Sequence, residues 1–142
     1  MANETSRIGY LNGQWLPHSE MSVGIDDAGF RQAITAVERL RTYNGRIFSL
    51  EAHLRRWQWS TTKLGIHDLP DAGELESLLQ DLLERNLRLI EQQRDVGLTM
   101  FATPGTPDSE SPTLGLHLNF LRHEKIDEHR ELGQPLIISD VQ

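Results

Sequence analysis

The spacing of apolar and polar positions changes along the chain, and each change marks a new element. Ile8-Gly9-Tyr10-Leu11 and Gln14-Trp15-Leu16 flank Asn12-Gly13, a pair that tolerates positive φ. That arrangement predicts a hairpin over residues 8–16, ended by Pro17. Residues 18–29 are polar and turn-rich. Val37, Leu40 and Tyr43 have helical spacing, but a second Asn-Gly pair at 44–45, followed by Arg46-Ile47-Phe48, favours a strand over at least residues 38–43. Leu50, Leu54, Trp57, Thr61 and Leu64 then fall on one helical stripe, with Ser49 placed to cap it and Gly65 to end it. Asp71 and Glu74 make a capping-box start for a second helix. Its broad apolar face runs through Leu75, Leu78, Leu79, Leu82, Leu83, Leu87 and Ile90, with Arg85, Arg88 and Arg94 crowding its end. Val96 to Thr103 reads as an apolar strand and residues 104–112 as a loop. From Thr113 to Leu121, Leu114, Leu116, Leu118 and Phe120 alternate with Gly115, His117 and Asn119, the period-two pattern of a strand with one buried face. Residues 122–134 are charged and predict a loop, and Pro135-Leu136-Ile137-Ile138-Ser139 a last short strand. The order β-β-β-β-α-α-β-β-β defines a single α+β domain over residues 1–142, an antiparallel sheet with two central helices.

Composition narrows the function more than the fold. A chain of 142 residues, 37% apolar and 25% charged, is an ordinary folded domain. No apolar run approaches the ~20 residues that cross a bilayer, and the first residues lack a secretory pattern, so the expectation is a cytoplasmic protein without a membrane partner. The absence of cysteine excludes disulfides, thiol catalysis and thiolate metal sites. The net charge of −7 is uneven: residues 1–66 carry +2 and residues 67–142 carry −9. The acidic half argues against nonspecific nucleic-acid binding, and the first half is the better place for a small anion.

The motifs for familiar chemistries are missing. There is no glycine-rich phosphate loop, no HExxH and no GxSxG. His123, Asp127, Glu128 and His129 lack the spacing of a known metal site and read as a solvated segment. Ser49 or Ser60 with Asp26, Asp27 and a histidine makes a triad on paper only. His53, beside the apolar stripe, reads as a packed or capping residue. Arg39 and Arg41 flank Leu40 on the predicted strand and so face the same side. Two guanidinium groups there repel unless they are solvated or share an anion, and arginine suits bidentate carboxylate or phosphate binding. Surface arginines and an anion site both remain open on these residues alone.

The ordered set Tyr10-Leu11-Asn12-Gly13 with Pro17, Asp27-x-Gly29-Phe30, Glu38-x-Leu40-Arg41-x-Tyr43-x-Gly45, Phe48-x-Leu50-x-x-His53-Leu54-x-Arg56, Ser60 and Leu64-Gly65-Ile66 resembles the class IV pyridoxal-phosphate enzymes. These are the branched-chain and D-amino-acid aminotransferases and the aminodeoxychorismate lyases. The resemblance implies the small N-terminal α+β domain of such an enzyme, with amino acids and 2-oxo acids as substrates and pyridoxal 5'-phosphate as cofactor; the apolar face that such a half exposes on its own predicts a homodimer or higher state. The resemblance also implies that Arg56, from His-x-x-Arg, binds the cofactor phosphate, and that Arg41, Arg39 and Val37 line the substrate side. The family's Schiff-base lysine lies in the second domain, and neither Lys63 nor Lys125 occupies its position, so this stretch alone is expected to be inactive. Departures mark the pocket: the family Gly-x-Gly is Ala33-Ile34-Thr35, an aromatic is replaced by Val37, a small or apolar residue by Arg39, and the Thr-Arg-Gly of some members by Thr103-Pro104-Gly105. A stand-alone noncatalytic module for dimerisation or anion binding, and a lyase of the same family, are the alternative expectations.

Overall fold

The computed structural model describes residues 7–109 and 111–136. Six strands form one antiparallel sheet: β1 (Ile8–Leu11), β2 (Gln14–Pro17), β3 (Ala36–Tyr43), β4 (Arg46–Ile47), β5 (Val96–Thr103) and β6 (Thr113–Phe120). Their spatial order is β2-β1-β6-β5-β3-β4. Both Asn-Gly pairs turn hairpins with positive φ at each residue: Asn12 and Gly13 join β1 to β2, and Asn44 and Gly45 join β3 to β4. β4 pairs only with Thr42 and Tyr43, so among the described residues no strand lies along the outer edge of β3 before them.

The helices are α1 (Ala28–Arg31), α2 (Leu50–Lys63), α3 (Ala72–Arg85), α4 (Leu87–Ile90) and α5 (His123–Leu132). α2 and α3 cover one face of the sheet. Leu54 and Trp57 of α2 and Leu75, Leu79 and Leu82 of α3 meet Leu40, Leu98, Met100, Leu116 and Leu118 from the strands. Each such side chain taken fully out of water contributes about 1.5–3 kcal/mol before entropy is subtracted, so this layer holds the domain together.

Four expectations are corrected. Residues 122–134 are not a loop: His123–Leu132 is helical. α5 buries no residue, so it never shows an apolar stripe; helix-forming side chains, an Arg94–Asp127 pair and Gly133 at φ 75 define it instead. The second helix does not run unbroken to Ile90. It stops at Asn86, whose buried side chain donates to the Leu82 and Ile8 carbonyls and accepts from the Ile8 amide, tying the helix end to β1. Ser49 takes the N-cap position of α2 but in a left-handed conformation, with no side-chain hydrogen bond, whereas the Asp71–Glu74 capping box is complete. Leu64, placed on the buried stripe by spacing, is exposed beyond the last turn of α2. Pro135 and Leu136 have no regular structure, and residues 137–139 of the expected last strand lie outside the described residues.

Candidate active site

β3 is the axis of the site, because its two faces present different chemistry. Its burial alternates, with Ala36, Glu38, Leu40 and Thr42 turned to the helices and Val37, Arg39, Arg41 and Tyr43 to the open face. Glu38 therefore sits in the apolar layer at 2% exposure. An unpaired carboxylate there would be very costly. It is fully paired. Arg56 donates through Nε to Oε1 and through Nη2 to Oε2, both at 2.7 Å, and His53 Nδ1 lies 2.8 Å from Oε2. Because a carboxylate only accepts, this contact places the proton of His53 on Nδ1. The 3.3 Å approach of Arg56 Nη2 to the same nitrogen is then two donors converging on one oxygen, not a hydrogen bond between them.

Burial pushes the Glu38 carboxyl up, but the hydrogen bonds from Arg56 and His53, with their charges, outweigh it and hold the group below its ordinary value. Glu38 in turn holds Arg56 more firmly protonated. His53 and Arg56 reach one carboxylate because they are three residues apart on one side of α2. Arg56 spends two of its five N–H groups on Glu38, and its side chain remains 62% exposed. The outcome is a fixed, outward-facing guanidinium with three N–H groups free for an anion. As Glu38 and Arg56 cancel in charge, attraction to a phosphate would come from directed donors.

The open face is built differently. Among the described residues no carboxylate pairs with Arg39 or Arg41. Arg41 stacks its guanidinium 4.4 Å from the Tyr43 ring centroid, and its Nε is buried without a hydrogen-bond partner. The strand register sets Arg39 opposite Thr99 and Thr99 opposite His117, one row across three strands. Asn119 donates to the Thr99 hydroxyl at 2.6 Å. Burial, opposed by a bond to the Leu118 carbonyl, and the positive charges of Arg7 and Arg39 together lower the pKa of His117.

The predicted residues thus form two groups. Val37, Arg39 and Arg41 come together on one face, and Arg56 stands on the other with Glu38. His53, read from sequence as a packed or capping residue, is a hydrogen-bond partner of Glu38. Glu38 has no assigned role in the sequence reading. Its signal was an acid at a core-facing strand position, which requires a cation within reach. His123 bonds the Asp95 carbonyl and Asp127 pairs with Arg94, so both are committed to structure. Nearby, Asp27 is buried and accepts from Gly29 N and Thr113 Oγ1. Burial pushes its carboxyl up, but hydrogen bonds from Thr103, Thr113 and Gly29 outweigh that and lower its pKa. This anchors the Thr103-Pro104-Gly105 corner, where Gly105 has φ 84 and a Cβ would strike the Ser111 carbonyl. A separate cleft of about 350 Å³ between α2 and α3, lined by Leu54, Trp57, Leu69 and Leu75, includes none of the predicted site residues.

Comparison with known proteins defines the class. The family described as amino-transferase class IV matches residues 35–141. The chain belongs to this family, and corresponds to the N-terminal domain of such a protein. Among curated relatives it is 35% identical over 95 residues to the D-alanine aminotransferase of Bacillus licheniformis, covering 67% of this chain and 32% of that protein. The D-alanine aminotransferase of Staphylococcus aureus (strain N315) is 30% identical over 77 residues, 54% of this chain and 27% of that one. The chain therefore spans about a third of the length of these relatives. In fold it is similar to a PLP-bound hypothetical aminotransferase from Mycobacterium tuberculosis, with a TM-score of 0.70 and 19% identity over 87% of this chain and 43% of that one. It is also similar to the branched-chain aminotransferase of Thermoproteus uzoniensis with norvaline, at 0.69 and 17% over 82% and 41%.

Proposed function

We propose that this chain serves a two-domain, pyridoxal-phosphate-dependent aminotransferase acting on an amino acid and a 2-oxo acid. In this reading Arg56 contributes to the grip on the cofactor phosphate, and Val37, Arg39 and Arg41 line the substrate side. The observation that carries the reading is the posture of Arg56: held by Glu38 through Nε and Nη2, yet exposed, with N–H groups free to meet a phosphate. The two groups lie on opposite faces of β3, and a ligand touching both would lie along its outer edge, where among the described residues no strand pairs before Thr42.

When bound, pyridoxal phosphate supplies an electron sink for the pair released as a proton leaves the substrate α-carbon. The residues of this chain bind and orient. Arg56 fixes the phosphate end, Glu38 and His53 fix Arg56, and Arg41 offers its guanidinium to a substrate carboxylate. Lys63 ends α2 and Lys125 lies on α5, and both are exposed; neither is assigned the amine that moves the proton, which in this reading belongs to the second domain. A homodimer is part of the proposal, supported by the exposed rings of Phe30, Phe48 and Trp59. A clean monomer in sedimentation at high concentration would count against it. The cofactor test is a titration with pyridoxamine phosphate, which binds without needing a lysine. Arg56→Gln should weaken binding at least tenfold and Arg56→Lys less. Equal affinity in the native protein and in Arg56→Gln sinks the assignment.

A further inference from the structure

We propose that Asn44 is a site of spontaneous deamidation, a modification that turns a neutral residue at the tip of the β3–β4 hairpin into a carboxylate, and that the fold withholds the same fate from Asn12. Both asparagines precede a glycine at a hairpin tip, both are exposed and both have positive φ. A Cβ built on either glycine would meet open space, so access does not separate the two turns. Anchorage does.

Asn12 is held twice by one residue of β6. Its backbone N–H donates to the Leu114 carbonyl at 3.0 Å, and its Oδ1 accepts the Leu114 N–H at 2.9 Å. The side-chain carbonyl is thereby fixed to the sheet. Its turn also closes four residue pairs between β1 and β2, and β1 is flanked by β6 on its other side. Among the described residues, neither the Asn44 side chain nor the Gly45 N–H has a hydrogen-bond partner. Behind that turn β4 supplies two residue pairs, and one further bond runs from the Phe48 N–H to the Arg41 carbonyl at 2.9 Å. The rings of Tyr43 and Phe48 meet edge-on, 5.5 Å between centroids, and brace the stem of the hairpin rather than its tip. β4 is the last strand of the sheet, and an end so lightly tied opens locally at low cost.

The chemistry needs only water and hydroxide. The Gly45 nitrogen gives its proton to hydroxide and bonds to Cγ of Asn44. The bond from Cγ to the side-chain nitrogen breaks, and ammonia leaves with a proton taken from water. One water then opens the cyclic imide. Opening at one carbonyl gives aspartate; opening at the other routes the main chain through the side chain as isoaspartate. Glycine helps the ring close, because it has no Cβ beside the attacking nitrogen and its backbone turns freely. The product places a carboxylate in a stretch, residues 39–46, that carries Arg39, Arg41 and Arg46 and no acid. Isoaspartate also lengthens the main chain through a two-residue turn, so Tyr43 and Arg46 lose their register.

The test ages the native chain at mildly alkaline pH and follows both sites by mass spectrometry of tryptic peptides. Residues 42–46 and residues 8–31 are the peptides, and each contains one asparagine. Asn44 should convert at least tenfold faster than Asn12, give isoaspartate together with aspartate, and convert faster as pH rises. In guanidinium chloride, where neither turn exists, the two rates should come together. Equal rates in the native chain overturn the proposal, as does a faster Asn12. Aspartate without isoaspartate at residue 44 overturns the cyclic route. A difference that persists undiminished in guanidinium chloride shows that anchorage by the fold is not its cause, and sinks the inference as well.

Discussion

The two faces of β3 treat charge in opposite ways. On the helix side a single carboxylate, Glu38, is buried and saturated by Arg56 and His53. One residue further along, on the open side, neither Arg39 nor Arg41 has a counter-ion among the described residues. The difference separates two uses of arginine. Arg56 is oriented by the protein before any ligand arrives, so little rotamer entropy remains to be lost on binding. Arg39 is left for something else to orient.

The contrast can be broken by mutation, beginning with the core. Leu98 lies under the helices and Thr99 on the open side of the same strand. Leu98→Ala should cost about 2–5 kcal/mol in denaturant unfolding through lost burial and a cavity. Next comes Glu38→Gln, which removes two charge-assisted bonds and should cost about 1.5–3 kcal/mol. It should also flatten the acid limb of the stability curve. Glu38 has a lowered pKa in the fold, so its contribution is complete above its ordinary value of 4.5 and is lost as pH falls through the lowered one. If melting curves of Glu38→Gln and the native protein run parallel from pH 6 to 3, the pairing is not contributing. Thr99→Ala should cost about 1 kcal/mol for the lost Asn119 bond.

His117 gives a gentler test of the open face. Its pKa is lowered in the fold, so the unfolded chain takes up a proton first as pH falls below 6.5, and native stability declines there. His117→Asn should remove part of that decline and change nothing at pH 8. The smallest effect belongs to Arg39→Val: no loss of melting temperature, and a slight gain at low salt as repulsion with Arg41 is relieved. A clear loss would mean that Arg39 is structural, and the contrast between the faces would collapse.

Much of this was legible in the sequence, for identifiable reasons. The Asn-Gly turns force a backbone conformation, and the capping box at Asp71 and Glu74 is a local pair, so both could be read directly. The alternation of β6 and the stripe of α2 follow from burial on one face. What escaped reading depends on distant partners or on no burial at all. α5 buries none of its side chains fully, so no periodicity announced it. The break at Asn86 comes from its bonds to Ile8, 78 residues away. The shared face of Arg39 and Arg41 could be read from alternation alone. The role of Glu38 could not, because it depends on α2 folding back over β3.

Among the described residues the margin of β3 before Thr42 is uncovered, and this has a further consequence for solubility. An unpaired strand edge is a template for another chain's edge. Here the margin carries Arg39 and Arg41, so two copies approaching edge to edge in antiparallel register would bring four guanidinium groups together. Like charges set opposite one another on paired strands are destabilising. The arginines therefore act as sentries against runaway stacking, and a polyanion that neutralised them would turn a guarded margin into an adhesive one.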